Sequence, residues 1–120
     1  MADRLQFIGW GTPVRGREER ALEVFNESMG LYGRMQQDGR IESFSVTLLS
    51  PNALLNGYVE LRGTAAQMAA LQEDEEFIRT TAAASLIVEN FNVLSGYANE
   101  GVATQMGVYA EAIAGVPQLA

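Results

Sequence analysis

The chain has 120 residues, of which 48% are hydrophobic and 19% are charged, as in an ordinary globular domain. A chain of this length is expected to form a single domain over 1–120 and to bury about two-thirds of the surface that its unfolded form exposes. The net charge is −7 and every basic residue is an arginine. We therefore expect no nucleic-acid binding, because an acidic surface repels phosphate groups.

Histidine and cysteine are both absent from the sequence. Disulfides, thiolate nucleophiles, Cys-based zinc sites, Ser-His-Asp triads and imidazole bases are therefore excluded. Catalysis would have to use carboxylates, Tyr, Arg, Asn, Ser or a bound cofactor, and the sequence predicts no metal site and no cofactor. No stretch approaches the roughly 20 apolar residues of a membrane helix, and the N-terminus lacks the apolar segment of a signal peptide. The expectation is a cytoplasmic protein with no membrane contact.

The first half of the chain predicts a strand, a helix and a second strand. The strand covers Arg4–Trp10, and the helix covers Arg17–Gln37, with Gly39 as the residue that ends it. The second strand covers Ile41–Leu49, where apolar and polar residues alternate with a period of two. The helix carries apolar residues at helical spacing and is expected to bury them; they are Ala21, Leu22, Phe25, Met29, Tyr32 and Met35.

A third strand is predicted over Leu55–Arg62, after a turn that makes the second and third strands a hairpin. Thr64 and Gln67 have the spacing of a capping box at the start of a short helix. Asp74 is predicted to cap a further short helix that runs through Thr81. The acidic run around Asp74 is interpreted as a solvated helix start and not as a metal site, because it lacks the interleaved spacing of a calcium loop.

A fourth strand is predicted over Leu86–Leu94, followed by a last helix over Glu100–Ala114 with Asn99 as its N-cap. The element order β-α-β-β-α-β is typical of a ferredoxin-like antiparallel sheet, here with an added C-terminal helix. Right-handed crossovers would place the helices on one side of that sheet, which gives an α+β fold. The stripe of the last helix is expected to be core; it consists of Val102, Met106, Tyr109 and Ile113.

Alternation assigns the strand residues to two faces of the sheet. The face expected under the helices carries Leu5, Phe7, Phe44, Val46, Leu48, Val59, Leu61 and Val88. The other face is too aromatic for a solvated surface and too polar for a second core, so we expect a second copy of the chain to cover it. That face is predicted to carry Gln6, Ile8, Trp10, Ser43, Ser45, Thr47, Tyr58, Glu60, Arg62, Glu89, Phe91 and Val93.

Four segments carry a resemblance to known proteins: 9–13 (Gly-Trp-Gly-Thr-Pro), 16–18, 21–25 and 39–44. They resemble an uncharacterised bacterial family of the dimeric α+β barrel superfamily, in which ferredoxin-like subunits pair their sheets. The resemblance covers most of the chain, and its motifs look structural. It implies a homodimer with a barrel between the sheets. Superfamily members include cofactor-independent monooxygenases, lactone isomerases and haem-degrading enzymes, but the haem enzymes use histidine, which this chain lacks.

Five residues are predicted to project into the barrel and to form a candidate ligand-binding site: Trp10, Tyr58, Glu60, Arg62 and Glu89. A buried glutamate beside an arginine can act as a tuned acid or base, or can anchor a polar substrate. The alternative is a structural ion pair packed between aromatic side chains. The Gly-x-Gly at 9–11 lacks the third glycine of a dinucleotide fingerprint and is interpreted as a turn that ends the first strand.

Two kinds of function remain open at this level. The barrel could bind a small apolar or aromatic molecule, and it could then also act on that molecule as a cofactor-independent monooxygenase or an isomerase. It could instead be filled by side chains, which would make the protein a structural dimer. An enclosed volume of roughly 300 Å³ or more would favour the first reading.

Overall fold

The computed structural model describes residues 2–119 of the chain, which form eight elements. The first half holds β1 (Arg4–Trp10), α1 (Glu18–Asp38), β2 (Ser43–Leu48) and β3 (Gly57–Gly63). The second half holds α2 (Ala65–Leu71), α3 (Glu75–Ser85), β4 (Asn92–Tyr97) and α4 (Glu100–Ala114).

The four strands form one antiparallel sheet in the order β2-β3-β1-β4. This is the strand order of the ferredoxin-like fold, so the predicted fold class is confirmed. α1 packs against β2, α2 packs against β1 and β3, and α3 packs against α1. None of the helices in the described part of the chain is long and apolar enough to cross a membrane.

The core lies between the sheet and these three helices. Ile8 of β1 stands opposite Val59 of β3, and Leu61 of β3 stands opposite Phe44 of β2, so these side chains share one face. Burial of such apolar side chains contributes roughly 1.5–3 kcal/mol each. The buried cluster comprises Ile8, Leu31, Tyr32, Met35, Ile41, Val59, Leu61, Met68, Leu71 and Phe77.

The predicted helix ends are present in the structure. Gly39 follows α1 with φ of 84°, the left-handed conformation that glycine adopts without strain, and its N–H bonds the Met35 carbonyl. Thr64 and Gln67 form the reciprocal capping box of α2. The Asp74 carboxylate accepts a hydrogen bond from the Phe77 N–H at the start of α3.

The predicted faces of β1 are wrong. Gln6 and Ile8 lie under the helices, and Leu5 and Phe7 lie on the opposite face, because Ile8 pairs with Val59 in the register of the sheet. The polarity of Gln6 misled the assignment. This side chain is only 2% exposed, and its Oε1 accepts hydrogen bonds from Gln72 Nε2 and Ser95 Oγ, which satisfy it inside the core.

The predicted fourth strand over Leu86–Leu94 is also wrong in position, since β4 covers Asn92–Tyr97. α3 continues to Ser85, and Asn90 has φ of 52°, which turns the backbone out of an extended path. The apolar residues at 86–88 therefore lie in a connection, where Ile87 is buried and Val88 forms an isolated bridge with Pro13. Phe91 and Val93 consequently pack on the core and not on the opposite face.

The prediction that the last helix buries its stripe is wrong within one chain. Val102, Met106, Tyr109 and Ile113 are all exposed, and Gly101 is the only buried residue in the described part of α4. Asn99 precedes the helix as predicted, but its side chain donates to the Ala2 carbonyl and makes no cap hydrogen bond.

An ion-pair network joins the end of α1 to the start of α3. The Arg40 guanidinium donates to Asp38, to Asp74 at 2.9 Å and to Glu76 at 3.1 Å. Partial burial of the Asp74 carboxyl raises its pKa, but the hydrogen bonds from Arg40 and from the Phe77 N–H outweigh that effect and hold the pKa below the ordinary 3.8. Asp74 therefore favours the folded state only while it is ionised.

We expect Asp74→Asn to lower the free energy of unfolding by roughly 1 kcal/mol at pH 7, because asparagine keeps the helix cap but loses the network. A depressed carboxyl pKa stabilises above the unfolded value and loses that stabilisation as the pH falls through the folded value. The difference from the wild type should therefore shrink below pH 3.8. Urea unfolding at pH 7 and near pH 3 measures it. Glu75→Gln, at the exposed neighbouring position, is the control and should have little effect; equal losses in both variants would contradict the prediction.

Candidate functional site

The five predicted site residues do not share one face of the sheet. Tyr58, Glu60 and Arg62 project from β3 on the side away from the helices, as predicted. Trp10 projects from β1 to the helix side, where its ring meets Phe25 of α1 edge to face at 5.9 Å. The predicted common site is therefore divided between the two sides of the sheet.

Glu89 lies outside the sheet, in the connection between α3 and β4, and it is exposed. Its backbone, not its carboxylate, makes the local contacts. Its carbonyl accepts from the Gly11 N–H at 2.7 Å and its N–H donates to the Thr12 carbonyl at 2.9 Å. The prediction of Glu89 as a barrel residue is wrong, because β4 begins at Asn92, three residues after Glu89.

We call the sheet side without helices the open face. Phe7 stacks on Tyr58 with ring centres 5.2 Å apart, and Glu60 accepts a hydrogen bond from Arg62 Nη2 at 2.8 Å. Leu94 is 56% exposed there, and the buried Nε of Arg62 has no hydrogen-bond partner among the described residues. The open face carries Leu5, Phe7, Ser43, Ser45, Thr47, Tyr58, Glu60, Arg62, Asn92 and Leu94.

An apolar cavity, partly open to solvent, lies on the other side of the sheet, between β1, α1 and α3. Its volume is about 260 Å³ and its wall is almost entirely apolar. Trp10 and Phe25 form part of the wall, so the aromatic residue predicted for a ligand site does line a cavity, although not the predicted one. The lining residues are Ile8, Trp10, Pro13, Glu18, Ala21, Leu22, Val24, Phe25, Ser28, Met29, Tyr32, Val59, Thr81, Ala84, Ile87, Val88 and Phe91.

Hydroxyl groups are the main polar groups of the cavity wall. Ser28 and Tyr32 lie one turn apart on α1, and Ser28 Oγ donates to the Val24 carbonyl at 2.7 Å. Burial raises the pKa of Tyr32 to about 12, against a smaller opposing effect of its hydrogen bond with Ser28. The phenol therefore stays protonated at neutral pH and can act as a hydrogen-bond donor.

The carboxylate of Glu18 belongs to the rim of the cavity. Glu18 is exposed at the start of α1, and its Oε1 accepts a hydrogen bond from the Gly16 N–H at 2.9 Å. It is the one charged group among the lining residues. The interior can thus hold an apolar molecule and hydrogen-bond to it, but it places no ionised acid or base deep in the wall.

This cavity is not among the sequence predictions, although the sequence contains a signal for it. Ala21 and Ser28 are small side chains on the inner surface of α1, and Ala84 is another on α3. Small side chains facing a core leave space unless a larger neighbour fills it. The apolar spacing of α1 predicts only a buried stripe, because periodicity indicates which positions face inward and not how much volume their side chains fill.

Comparison with known proteins identifies the fold and no family. No family model matches the chain, and no curated protein matches it. Among solved structures, a dimeric ferredoxin-like protein of unknown function from Bacteroides fragilis is 12% identical with a TM-score of 0.59, covering 79% of this chain and 96% of its own. A conserved protein of unknown function from Bacteroides thetaiotaomicron is 12% identical with a TM-score of 0.60, covering 80% and 98%.

A variant of SnoaB, a cofactor-independent oxygenase from Streptomyces nogalater, is 14% identical with a TM-score of 0.53, covering 82% of this chain and 93% of that one. At these identities the likeness concerns the fold and not the reaction. The resemblance found in the sequence is thereby confirmed at that level. The chain has the ferredoxin-like fold of these bacterial proteins.

Proposed function

We propose that this protein is a homodimer that binds a small, mainly apolar or aromatic molecule in the cavity between β1, α1 and α3 of each subunit. The observation that carries the proposal is this apolar cavity of about 260 Å³, which is partly open to solvent. Its volume lies below the roughly 300 Å³ expected of a ligand site, so the molecule that it binds must be small. Small-molecule sites are concave and mainly apolar with a few polar groups, and the wall of this cavity has that composition.

The size and lining of the cavity narrow the class of ligand. An apolar cavity of roughly 150 Å³ is enough for benzene, so about 260 Å³ has room for a substituted ring or two fused rings. Trp10 and Phe25 offer ring faces and edges for stacking. Tyr32 supplies a hydroxyl donor, which suits a carbonyl or phenolic oxygen on one side of the ligand.

The homodimer is proposed to form through the open face. Leu94, Phe7 and Tyr58 leave apolar surface uncovered there, and a two-fold copy would cover it. The fold neighbour from Bacteroides fragilis is described as dimeric, which supports self-association. In this reading Tyr58, Glu60 and Arg62 belong to the subunit interface, and the ligand lies on the other side of each sheet.

A second candidate is a cofactor-independent oxygenase or an isomerase that uses the same cavity. The SnoaB variant of similar fold is described as such an oxygenase. Tyr32 is the specific observation in favour, because a protonated phenol can stabilise oxyanion character that develops on a bound ring. A cavity wall without an ionised base favours the binding reading over proton abstraction by the protein.

A cavity-filling variant tests the proposal. We expect Ala84→Phe to abolish ligand binding while changing the free energy of unfolding by less than about 1.5 kcal/mol, because the ring enters existing space. Aromatic acids, quinones, lactones, flavins and acyl compounds are screened by thermal shift. A ligand at 100 times its dissociation constant adds about 2.7 kcal/mol, which raises the melting temperature by roughly 10 °C for a domain of this size.

The matched control is Ala82→Phe, which adds the same ring on the exposed side of α3. It should bind the ligand as the wild type does. A ligand that raises the melting temperature of Ala84→Phe as much as that of the wild type binds elsewhere, and this result would contradict the proposed site. Oxygen consumption with each hit identifies the oxygenase alternative, and a stable dimer that binds nothing in the screen supports the structural reading.

A further inference from the structure

α4 is fixed to the body of the subunit at its first turn. Gly101 is buried against the backbone of Asp3, the Ala98 N–H donates to the Asp3 carbonyl at 3.1 Å, and Asn99 Nδ2 donates to the Ala2 carbonyl at 2.6 Å. These contacts set the direction in which the helix leaves the sheet. Folding back onto its own subunit would require breaking them.

Beyond that turn, α4 leaves apolar side chains in solvent. From Val102 onward every residue of the helix is exposed. Its apolar side chains leave from 42% (Ile113) to 59% (Tyr109) of their surface accessible. The radius of gyration is 16.9 Å, compared with roughly 13–14 Å for a compact chain of this length.

The helix needs a partner for physical reasons. A 15-residue helix is marginal alone in water. Val102, Met106, Tyr109 and Ile113 lie on one stripe at spacings of four, three and four residues, the pattern of a helix that packs against another surface. Together the exposed apolar side chains of α4 present on the order of 450 Å², the size of apolar patch that often marks a functional surface.

The charges of α4 favour a second copy of this chain over a lipid surface. Helices that bind membranes carry Lys and Arg on their polar face. α4 has no basic residue, and its polar side, opposite the stripe, carries Glu100, Thr104 and Glu111. Only two of the fifteen acidic residues of the chain are on this helix, and neither is on the stripe. Two chains of net charge −7 therefore meet with little repulsion along the stripe.

We propose that α4 is an exchanged arm, whose stripe packs on the partner subunit of the homodimer. This inference rests on the self-association proposed above. A standard interface buries roughly 800 Å² on each partner. The arm supplies about half of that area, and the open face, with Leu94 and the Phe7–Tyr58 pair, supplies further apolar surface. In a two-fold dimer each subunit would contribute its arm and its open face to the contact.

Three aspartate variants test the arm, with sedimentation equilibrium as the measurement. Met106→Asp places a charge on the stripe, and Leu94→Asp places one on the open face, at positions 57% and 56% exposed in the single chain. Thr104→Asp places the same charge on the opposite side of α4. We expect Met106→Asp and Leu94→Asp each to raise the dissociation constant of the dimer roughly a hundredfold or more, because each dimer would bury two copies of the new charge. Thr104→Asp should change that constant by less than about threefold.

The outcomes distinguish failure of the proposed α4 contact from failure of the proposed open-face dimer. If Leu94→Asp dissociates the dimer and Met106→Asp behaves as Thr104→Asp does, the arm is overturned and the open-face dimer stands. A monomeric wild-type protein overturns both. Far-UV circular dichroism checks that each variant is folded. A direct measurement uses a mixture of ¹³C-methyl-methionine protein and unlabelled protein: nuclear Overhauser effects from the Met106 methyl group to the unlabelled subunit are expected, and their absence from a stable dimer overturns the arm.

Discussion

Truncation of Trp10 to alanine is expected to lower the free energy of unfolding by about 3 kcal/mol and to abolish ligand binding. The indole ends β1 on the helix side, meets Phe25 edge to face at 5.9 Å and forms part of the wall of the cavity. Its removal enlarges a cavity that the neighbouring strand cannot fill, because Gly57 stands opposite it. Since Trp10 is the only tryptophan, urea unfolding is followed by circular dichroism.

Trp10→Phe is the control, because it keeps an aromatic ring beside Phe25 and should cost only about 1 kcal/mol. The dependence of unfolding on protein concentration distinguishes a Trp10 side chain on the helix side of the sheet from one on the open face. A tryptophan on the open face would affect the dimer, so Trp10→Ala would change the dissociation constant and leave the stability of the monomer almost unchanged. That result would contradict the packing described for β1 and α1.

Replacement of Gly101 by alanine is expected to lower the free energy of unfolding by roughly 2 kcal/mol, although glycine-to-alanine changes in helices normally stabilise. A Cβ atom at this position would collide with the carbonyl oxygen of Asp3. That oxygen belongs to the backbone and also accepts the Ala98 N–H, so it cannot move aside without loss. The first turn of α4 must therefore shift. The dimer should weaken as well, because the proposed arm would leave the subunit in a different direction.

Gly107→Ala in the same helix is the matched control, because nothing lies within 4 Å of the Cβ that it would add. It should raise the stability by roughly 0.5–1 kcal/mol through helix propensity alone. Chemical denaturation of both variants at one protein concentration measures the pair. An alanine at 101 that stabilises as much as one at 107 would show that the first turn of α4 is not packed against the backbone of Asp3 as described.

Local signals were sufficient for several of the helix ends. Gly39, the Thr64–Gln67 capping box and the Asp74 cap each depend on a few neighbouring residues, and each is found where the sequence predicts it. Strand phase was harder. Both faces of β1 carry apolar side chains, so alternation alone could not say which of Ile8 and Phe7 faces the helices.

The candidate site could be predicted only in part, for the same reason. Trp10 was identified as a residue able to stack on a ligand, but its side of the sheet depends on pairing with β3, a contact distant in sequence. Glu89 was misplaced because an apolar run at 86–88 predicts a strand, whereas the left-handed backbone at Asn90 delays β4. Tyr58, Glu60 and Arg62 were placed correctly, since β3 alternates strictly between buried and half-buried residues.

The sequence by itself determined the order of the elements, the ferredoxin-like fold and the exclusion of thiol and imidazole chemistry, because these follow from composition and from interactions between near neighbours. Only the tertiary structure decided which face of β1 is buried, where Ala21, Ser28 and Ala84 leave a cavity, and that residues 2–119 leave the stripe of α4 uncovered. Each of these depends on the volumes and registers of segments that are far apart in the chain. Hydrophobic periodicity records which side chains avoid water, but it does not record what covers them.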